Sequence, residues 1–511
     1  MKLRELIDGL EIVRVQGDFD VEVAGLTYDS RRVSEGDLFF ALARNLEQRR
    51  QHVNEALSRG AHAVVTETGW GGKVRPAATV VECSEPRLVM ASVASRFFRA
   101  PSQRLELIGV TGTAGKTTTC FLLRSIFEAA GFSAGIIGTL GAFAGAKRIY
   151  EGLTTPEAID FESQLATMEQ LGIRWVAAEI SSIGLAQHRA DALHFRAAVF
   201  TNLGRDHLDF HGTLENYFAA KLKLFTEILP RTSKSDPVVV VRGDDPFGKR
   251  ILDAVGVRKV SFGFDATCDV RALNFEADRA NLRAEVVAFG KKLTVISPLL
   301  GEVNLPNVLA AIATSLALGI PHEAVLEGIR RCSGAPGRME IVPNASNLTI
   351  VVDYAHKPNS LEVVLKSLRR LTKGRVLCVF GCGGERDAGK RPIMGEIAGR
   401  FADITIITSD NPRGEDPLAI IHQIESGIAQ LGLPRLSNPA DIARTQKGYF
   451  VEPDRRSAIE HAILNAWAGD VVLIAGKGHE TYQLIGNRKL SFDDREVVRQ
   501  VLKKNGLQVC A

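Results

Sequence analysis

The sequence predicts an α/β protein of three domains, and three observations lead to that prediction. The chain has 511 residues, and because a domain typically has about 150 residues, the length suggests about three domains. Short apolar runs rich in β-branched residues alternate with helical patterns over most of the chain, which is typical of parallel sheets flanked by helices. Two turn-rich segments, 99–103 and 333–338, interrupt this alternation. They divide the chain into predicted domains at 1–100, 101–336 and 337–511.

The predicted strands form two series, one on each side of the second turn-rich segment. In the first series, strands are predicted at 105–111, 175–180, 197–203 and 238–241. A helix is predicted at 116–130, after the first strand, and Gly131 ends it. In the second series, strands are predicted at 349–354, 376–381, 404–409 and 471–475. Each series therefore has the elements of its own parallel sheet.

The composition is that of a soluble globular protein and excludes several other classes. Hydrophobic residues make up 45% of the chain and charged residues 24%, close to the globular average. A net charge of +4 and an aromatic content of 6% argue against a dedicated nucleic-acid-binding protein. There is no signal-peptide core at the N-terminus, and no uncharged stretch approaches the ~20 residues that span a bilayer. We therefore expect a cytoplasmic protein that is not embedded in a membrane.

The seven cysteines give no indication of disulfides or of a metal site. They are scattered and form no C-x-x-C pair, and the closest two, Cys378 and Cys382, lie in and just after an apolar run. We expect buried free thiols in a reducing compartment.

A glycine-rich segment after the first predicted strand carries the strongest local signal. Residues 109–118 are Gly-Val-Thr-Gly-Thr-Ala-Gly-Lys-Thr-Thr, and they lead from that strand into the predicted helix. Backbone N–H groups of such a loop bind phosphate oxygens together with the helix N-terminus. Lys116 would reach the terminal phosphates, and the Thr117 hydroxyl would bind Mg²⁺. Val110 occupies a position where the strict motif has glycine, so the sequence predicts a variant nucleotide-binding loop.

This loop resembles the G-T-x-G-K-T loop of the Mur ligases, the ATP-dependent enzymes that form the amide bonds of the peptidoglycan stem peptide. Further motifs resemble the family in the same order: Thr-Thr-Pro at 154–156, Glu-Ile-Ser-Ser at 179–182, Asn-Leu-Gly-Arg-Asp-His at 202–207, Asn-Leu-Pro-Asn at 304–307, Gly-Arg-Met-Glu at 337–340 and Asp-Tyr-Ala-His at 353–356. The resemblance implies a small N-terminal α/β domain that binds UDP, a central P-loop-type parallel-sheet ATPase domain and a C-terminal Rossmann-like α/β domain that binds an amino acid.

Three motifs in the last domain resemble the branch of the family that adds meso-diaminopimelate. They are Gly-Cys-Gly-Gly-Glu-Arg-Asp at 381–387, Asp-Asn-Pro-Arg at 410–413 and Gly-Lys-Gly-His-Glu at 476–480. The resemblance implies that ATP phosphorylates the D-glutamyl γ-carboxylate of UDP-N-acetylmuramoyl-L-alanyl-D-glutamate and that the amine then attacks the acyl phosphate. It implies two small-molecule substrates, ATP and Mg²⁺ as cofactors, and a role in cell-wall synthesis. We expect a monomer.

Three alternative functions stay open. A ligase that adds L-lysine would share most of these motifs but departs from them at the position of Arg413. Folylpolyglutamate synthase shares the ATP-binding core but lacks the N-terminal UDP domain and the Asp-Asn-Pro-Arg motif. A nucleotide-dependent assembly protein would need only the loop, whereas this chain also has candidate residues for metal and amino-acid binding.

The resemblance implies the residues that bind ATP and metal. The nucleotide contacts are Gly112, Thr113, Ala114, Gly115, Lys116, Thr117, Thr118, Asn307, Arg338 and Asp353. The metal ligands are Thr117, Glu179, His207 and Lys221, with Lys221 as a carbamate, and the catalytic residues are Lys116, His207 and Lys221. Without the resemblance, Glu179 and His207 would more often be structural residues. The helical pattern alone also does not separate Lys221 from Lys223.

The resemblance also implies the residues that bind the other two substrates. The contacts to the UDP-muramoyl dipeptide are Ser30, Thr154, Thr155, Ser181, Gln187 and Arg189. The contacts to the amino acid are Arg386, Asp410, Asn411, Pro412, Arg413, Gly476 and Glu480. Arg413 would bind the distal carboxylate that lysine lacks, and Glu480 would bind the distal ammonium. The chain departs from the family pattern at 43–52, where relatives have a G-x-x-x-D-G-H type segment, and at Ala114, where Asn is common.

Overall fold

Three sheets of five or more strands, each flanked by helices, organise the chain, as the sequence predicts. The structure is a computed structural model, and it describes residues 1–70, 78–279 and 281–507. The chain forms two compact units. The first comprises Met1–Arg271, Ala288–Gly290 and Leu309–Gly328, and the second comprises Ala272–Val287, Lys291–Val308 and Ile329–Ala511. The domain boundaries predicted at residues 100 and 336 stay predictions.

The N-terminal sheet combines parallel pairing with one antiparallel edge strand. Its strands are β1 (Ile12–Gln16), β2 (Gly25–Thr27), β3 (Asp37–Phe40), β4 (Ala63–Glu67) and β5 (Thr79–Cys83). The helices around it are α1 (Leu3–Ile7), α2 (Leu46–Ser58) and α3 (Pro86–Phe97). The strand order is β1-β5-β4-β3-β2, and only β1 runs antiparallel to its neighbour among these described strands.

The central sheet is parallel in its core. Its strands are β6 (Glu106–Thr111), β7 (Ala134–Gly138), β8 (Gly141–Ala144), β9 (Lys147–Tyr150), β10 (Trp175–Glu179), β11 (Phe195–Phe200), β12 (Val238–Arg242) and β13 (Arg258–Gly263). Its helices are α4 (Pro101–Arg104), α5 (Lys116–Ala129), α6 (Ala158–Gln170), α7 (Ser182–Ala186), α8 (Leu208–His211), α9 (Leu214–Lys223) and α10 (Pro246–Ala254). The order is β13-β12-β11-β6-β10-β7-β8-β9, and β8 and β9 pair antiparallel. The carboxyl ends of β6, β10 and β11 therefore lie side by side, which is where ligands bind in such sheets.

Three strands and two helices follow the central sheet in the sequence. The strands are β14 (Val270–Ala277), β15 (Leu282–Ala288) and β16 (Lys291–Ser297). The helices are α11 (Leu305–Ala317) and α12 (His322–Arg331). Within the first unit, Val270 and Arg271 at the start of β14 pair parallel with the end of β13.

The C-terminal sheet is parallel except at one edge. Its strands are β17 (Glu340–Ile341), β18 (Thr349–Asp353), β19 (Val376–Phe380), β20 (Ile404–Ile407), β21 (Gly448–Val451) and β22 (Val471–Ala475), followed by the hairpin strands β23 (Tyr482–Ile485) and β24 (Arg488–Ser491). Its helices are α13 (Pro358–Leu371), α14 (Lys390–Phe401), α15 (Pro417–Ala429), α16 (Arg455–Leu464) and α17 (Asp494–Lys504). The sheet order is β17-β18-β22-β19-β20-β21, with β17 antiparallel to β18.

Strand β19 illustrates why an unbroken apolar run forms a central strand. Val376, Cys378 and Phe380 pack in one apolar cluster with residues of α13 and α14. Leu377 and Val379 pack in a second cluster with residues of α16 and α17. Because successive side chains of a strand point to opposite faces, a strand covered by helices on both faces needs apolar residues at every position.

The predicted strands are confirmed, and the main differences lie at their carboxyl ends. The strand predicted at 197–203 ends at Phe200, and the one predicted at 404–409 ends at Ile407. After Phe200 the chain leaves the sheet, and Thr201 Oγ1 donates to the Ala114 carbonyl at 2.6 Å. The predicted helix at 116–130 is α5, and Gly131 after it has a φ of 85°, as expected for a glycine that ends a helix.

The six cysteines in the described part of the chain are buried free thiols, as predicted. Cys510 lies outside the described residues. Over the residues that the structure describes, no helix is long and apolar enough to cross a membrane.

A buried ion pair holds two strand ends of the C-terminal sheet. The side chains of Arg455 and Asp494 are both fully buried and lie 2.7 Å apart. The Arg455 guanidinium also donates to the Ala475 carbonyl at 2.9 Å and to the Ser409 carbonyl at 3.5 Å. These carbonyls come directly before Gly476 and Asp410, so one arginine fixes the start of two motifs that the sequence analysis singled out.

Glu162 is a buried carboxyl group on α6. Its side chain is 1% exposed. Burial raises the pKa of Glu162 from its ordinary value of 4.5 to about 8, and nearby Ser95 and Arg104 counteract only part of this effect. Between these two pKa values the folded protein keeps a proton that the unfolded chain has released, so folding is favoured by low pH and becomes weaker as the pH rises.

We predict that Glu162→Gln removes this pH dependence. Each pH unit between about 5 and 8 should cost the parent protein up to ~1.4 kcal/mol of unfolding free energy that the variant does not lose. Thermal unfolding of the full chain at pH 5, 6, 7 and 8 measures the difference. The exposed Glu151→Gln makes the same substitution at a surface position and serves as the control. A stability difference between E162Q and the parent that is constant across this range would contradict the prediction.

Candidate active site

The backbone of the phosphate loop depends on two glycines and on the end of strand β11. The loop leaves β6 and enters α5 at Lys116. Gly112 has a φ of 150°, and a Cβ at this position would collide with the Thr201 hydroxyl. Gly115, with a φ of 87°, directly precedes the first turn of α5. The first N–H groups of a helix have no partner within it, so those of this turn are candidates for the phosphate contacts that the sequence predicts.

Asn202 holds the loop at the position where the chain departs from the family pattern. The Thr113 N–H donates to the Asn202 carbonyl at 3.0 Å. The Ala114 N–H donates to Asn202 Oδ1 at 3.0 Å, and Asn202 Nδ2 donates to the Ala114 carbonyl at 3.1 Å. The loop is therefore fixed through its backbone, and alanine at 114 removes no contact that this geometry requires.

Two lysine ammonium groups share one carbonyl in the loop. Lys116 Nζ donates to the Gly112 carbonyl at 2.8 Å and to the Thr113 carbonyl at 3.2 Å. Lys221 Nζ donates to the same Gly112 carbonyl at 3.0 Å and lies 4.6 Å from the centre of the Tyr217 ring. Burial, together with the Lys116 charge, holds the pKa of Lys221 well below its ordinary value. This shift of the Lys221 pKa favours the neutral amine over the ammonium form.

The structure separates the two lysines that the helical pattern left equivalent. The Lys221 residue is 1% exposed, whereas Lys223 is only partly buried. The helix register thus directs Lys221 toward the loop. Tyr217, one turn earlier, also faces the loop, since its hydroxyl lies 3.1 Å from the Thr113 hydroxyl.

Glu179, at the end of β10, connects the loop to the exit of strand β7. Its carboxylate accepts a hydrogen bond from the Thr117 hydroxyl at 2.9 Å. It also accepts from the N–H and the hydroxyl of Thr139, at 2.9 and 3.1 Å. Gly138 provides the space, because a Cβ there would collide with the carboxylate. Sequence reasoning missed Thr139, which no motif marked.

The pair of Thr117 and Glu179 fits one Mg²⁺. Both supply hard oxygen atoms at hydrogen-bond distance from each other, and Mg²⁺ typically takes one or two protein oxygens together with phosphates and water. In the described ranges, no group of three or more His, Cys, Asp or Glu residues could hold a metal by itself.

His207 lies beside this region, at the start of α8. Its backbone has a φ of 51°, and its Nε2 lies 3.5 Å from Asp206 Oδ2. Its ring is 6.1 Å from the Tyr217 ring, so His207 and Lys221 border the same tyrosine.

His211 is a buried residue that sequence reasoning missed. Its Nε2 lies 2.9 Å from the Ser182 hydroxyl, and its ring packs against Tyr217 at 5.2 Å. Burial first, and the neighbouring His207 and Lys221 charges second, lower the pKa of His211. The spacing of four residues from His207 was the sequence signal that could have found it.

The residues predicted to bind the muramoyl dipeptide lie together beside Glu179. The Thr155 hydroxyl lies 2.9 Å from the Glu179 carbonyl and 3.0 Å from the Ser181 hydroxyl. The Ser181 N–H donates to Thr155 Oγ1 at 2.8 Å. The Thr154 hydroxyl lies 3.1 Å from the Thr139 hydroxyl. These hydroxyls therefore form a continuous polar chain from Glu179 outward.

Arg189 belongs to the same group and carries its charge in a nearly buried position. It donates to the Thr155 carbonyl at 2.9 Å and to Gln187 Oε1 at 2.6 Å. Its guanidinium lies 3.0 Å from Glu157, which also binds Arg87 at 2.6 Å. One carboxylate thus faces two guanidinium groups, which leaves a net positive charge suited to an anionic ligand. Sequence reasoning missed Glu157 and Arg87.

The predicted UDP-binding serine is close to the segment that departs from the family pattern. Ser30 is buried, and its hydroxyl donates to Glu55 Oε2 at 2.7 Å. Glu55 lies on α2, and the departing segment 43–52 forms the start of that helix. Asn45 caps it by accepting the Glu47 N–H at 2.8 Å.

The predicted nucleotide contacts of the second unit are built around a buried carboxylate. Asp353 accepts the N–H of Met339 at 2.7 Å and that of Ala355 at 2.8 Å. Burial raises the pKa of Asp353, and the Arg338 charge counteracts it. The Arg338 guanidinium lies 4.8 Å from the Tyr354 ring centre.

Asn307, the third predicted contact of this unit, lies in the first turn of α11. It is buried, and its Nδ2 donates to Asn304 Oδ1 at 3.1 Å.

Arg413 joins two of the predicted amino-acid-binding motifs. Its guanidinium donates to the Gly384 carbonyl at 2.7 Å, and its backbone N–H donates to the Leu484 carbonyl at 3.0 Å. Its φ of 53° is a strained conformation for a residue with a side chain, of the kind found at functional sites. A Cβ on Gly383 would lie 3.1 Å from Arg413 Nη1 and 3.9 Å from Arg386 Cγ, so both arginines border one glycine.

The Asp-Asn-Pro-Arg and Gly-Lys-Gly-His-Glu motifs meet directly. Asn411 Nδ2 donates to Glu480 Oε2 at 2.9 Å. A Cβ on Gly476 would lie 2.7 Å from Asp410 Oδ2, so only glycine allows this approach. A Cβ on Gly384 would likewise collide with the Pro412 carbonyl. Within the second unit, the structure thus brings together the predicted amino-acid-binding residues.

Comparison with known proteins identifies matches along nearly the whole chain. The family model described as Mur ligase middle domain matches residues 110–315, and that described as Mur ligase, glutamate ligase domain matches residues 337–478. The chain is 40% identical over 501 residues to UDP-N-acetylmuramoyl-L-alanyl-D-glutamate–2,6-diaminopimelate ligase of Geobacter sulfurreducens, with 97% of both chains covered. It is 38% identical over 507 residues to the protein of the same name from Clostridioides difficile, covering 99% of this chain and all of that one.

Solved structures also match nearly the whole chain. A structure of UDP-N-acetylmuramoyl-L-alanyl-D-glutamate–2,6-diaminopimelate ligase matches with a TM-score of 0.71 and 32% identity, covering 99% of both chains. The MurF ligase of Thermotoga maritima in complex with ADP matches with a TM-score of 0.61, covering 95% of this chain and 97% of that one. At 19% identity, the second match concerns the fold alone.

Proposed function

The chain belongs to the Mur ligase family, and from that premise we propose that it is the ligase that joins meso-diaminopimelate to UDP-N-acetylmuramoyl-L-alanyl-D-glutamate with ATP. The observation that carries the proposal is the 40% identity to a ligase of that name over 97% of the chain. This similarity includes the first hundred residues, which folylpolyglutamate synthase lacks. The reaction builds the peptidoglycan stem peptide. We propose that the enzyme is a monomer and that it acts in the cytoplasm.

The chemistry requires a carboxylate to be activated before an amine can attack it. The γ-carboxylate oxygen attacks the terminal phosphorus of ATP, and the bond to ADP breaks. The amine of diaminopimelate then attacks the acyl carbon, phosphate leaves, and the amine loses a proton. Because each early species is anionic, the site must place cations and N–H donors where charge accumulates.

The phosphate loop supplies these groups. Backbone N–H groups at the start of α5 bind the phosphates, and Lys116, held on two loop carbonyls at 2.8 and 3.2 Å, moves to the transferred phosphoryl group. Thr117 and Glu179 would hold Mg²⁺, which neutralises phosphate charge when it is bound. His207 and a carbamate on Lys221 would hold a second cation.

The carbamate on Lys221 is supported by the site's electrostatics. A lysine carbamate forms when the neutral amine attacks carbon dioxide, a C–N bond forms and a proton leaves. The lowered pKa of Lys221 favours the neutral amine that this reaction needs. The product replaces a buried ammonium beside Lys116 with an anion, so the repulsion between two cations becomes an attraction.

Two further groups of residues bind the two remaining substrates. The hydroxyls of Thr154, Thr155 and Ser181 and the cation of Arg189, held in place by Gln187, suit the muramoyl dipeptide, and Ser30 suits the UDP end. Residues of the second unit hold the amino acid. Arg413 and Arg386 bind its distal carboxylate, and Glu480 binds its distal ammonium.

We predict that the purified full-length chain releases phosphate from ATP only when the UDP-dipeptide and an amino acid are both present. Diaminopimelate should exceed L-lysine in kcat/KM by about 30-fold or more, because lysine has no distal carboxylate. A coupled assay of phosphate release measures the rates, and the mass of the product shows which amino acid has been added. Equal rates with both amino acids would favour the lysine-adding alternative, and turnover with a folate substrate would favour folylpolyglutamate synthase.

Loss of the Arg413 fork should affect the amino acid selectively. We predict that Arg413→Ala raises KM for diaminopimelate by about 30-fold or more, since removing a charged partner costs about 2–5 kcal/mol. KM for ATP should stay within about twofold. Arg488→Ala, at an exposed position of β24, is the control, and an unchanged KM for diaminopimelate in R413A would contradict the assignment.

Loss of Lys221 should abolish both the carbamate and catalysis. With ¹³C-bicarbonate, we predict a carbamate resonance in the parent protein and in Lys223→Ala that is missing in Lys221→Ala. Activity of K221A should fall by ~100-fold or more, as expected when a metal-binding group is lost. A K221A variant that keeps full activity, or a carbamate resonance that persists in it, would exclude the modification at this residue.

A further inference from the structure

We propose that Lys477 is a positioning residue of the amino-acid pocket and fixes Glu480 for the distal ammonium of the acceptor. The family resemblance marks Gly476 and Glu480 but gives no role to the lysine between them. The inference rests on the proposed function, since it concerns the same acceptor pocket.

Lys477 is buried to a degree that requires a specific partner. Its side chain is 0% exposed, and its Nζ lies 3.1 Å from Glu480 Oε2. Its Nζ also donates to Asn411 Oδ1 at 3.2 Å and lies 5.6 Å from the Tyr482 ring centre. An ammonium removed from water is stable only beside groups that compensate its charge, and Glu480 is the carboxylate that does so here.

Asn411 receives its orientation from the same lysine. Its Oδ1 accepts hydrogen bonds from the Leu484 N–H at 3.0 Å and from Lys477 Nζ. With the amide oxygen held by two donors, the amide nitrogen faces Glu480 and donates to its Oε2 at 2.9 Å. Lys477 therefore acts on Glu480 both directly and through Asn411.

The turn that carries both residues is rigid. The Glu480 N–H donates to the Lys477 carbonyl at 2.9 Å. Gly478 between them has a φ of 52°, and a Cβ there would lie 2.7 Å from both the Gly337 carbonyl oxygen and Tyr354 Cβ. The backbone thus allows little movement of Lys477 relative to Glu480.

One carboxylate oxygen of Glu480 makes contacts within the protein, and the other can accept a hydrogen bond from a ligand. Oε2 accepts from Asn411 and Lys477, whereas Oε1 accepts no hydrogen bond from the described residues. The Glu480 side chain is 19% exposed, so a ligand can reach it. A distal ammonium bound at Oε1 would meet a carboxylate held in one orientation, which reduces the entropy lost on binding.

The first test compares Lys477→Met with Lys489→Met. Methionine keeps the length of the side chain and removes the charge. Lys489 lies 4.3 Å from the same Tyr482 ring but is exposed, so it is a matched control. We expect K477M to raise KM for diaminopimelate by about 10-fold or more, while KM for ATP and for the UDP-dipeptide stays within about twofold. Lys477→Gln, whose amide can still donate a hydrogen bond, is the second variant if thermal unfolding reveals that K477M is not folded.

A double-mutant cycle distinguishes positioning from general packing. If Lys477 acts through Glu480, K477M combined with Glu480→Gln should lose no more affinity for diaminopimelate than E480Q alone. Additive losses, or a fall in kcat with an unchanged KM for diaminopimelate, would overturn the inference. A parent protein that is inactive with diaminopimelate would instead overturn the proposed function, whereas an active parent with an unaffected K477M overturns this inference alone.

Discussion

The buried carboxylate of Glu179 is the constraint on which the centre of the first unit depends. A carboxylate without water needs several donors, and those of Glu179 come from Thr117 and Thr139, on two different elements. Its backbone carbonyl holds Thr155 in turn. The phosphate loop, the exit of β7 and the hydroxyls proposed to bind the dipeptide are therefore fixed relative to one another.

A second constraint is the concentration of positive charge in a chain whose net charge is only +4. Lys116 and Lys221 donate to one carbonyl, and Arg87 and Arg189 share one carboxylate. The second arrangement places two guanidinium groups on one carboxylate, which is unfavourable in the protein alone and favourable once an anionic ligand binds. The net charge is thus an average over a mixed surface and a few cationic sites, and it says little about the ligands.

The parallel sheets could be predicted from the sequence. Continuous apolar runs such as those of β19 and β22 are typical of strands that are covered on both faces. The sequence was also sufficient for the phosphate loop, whose glycines and lysine are required by its geometry. The sequence did not predict the roles of four residues, since these roles arise from contacts between segments distant in sequence. They are His211, Thr139, Glu157 and Lys477. The ends of β11 and β20 were predicted too long for the same reason: polar contacts formed only in the folded protein end those strands.

Recognition of the acceptor shows how the two kinds of constraint combine. The distal end of diaminopimelate is a zwitterion, so it needs a cation and an anion at a fixed separation. In the proposed assignment Arg413 and Glu480 supply these charges. Both residues are held by the loop around Asn411 and the hairpin strand β23. Lysine has the distal ammonium without the carboxylate and would leave Arg413 without its partner. Because an unpaired charge costs more than a missing contact, the proposed assignment predicts that the pocket rejects lysine through Arg413 and orients the amino acid through Glu480.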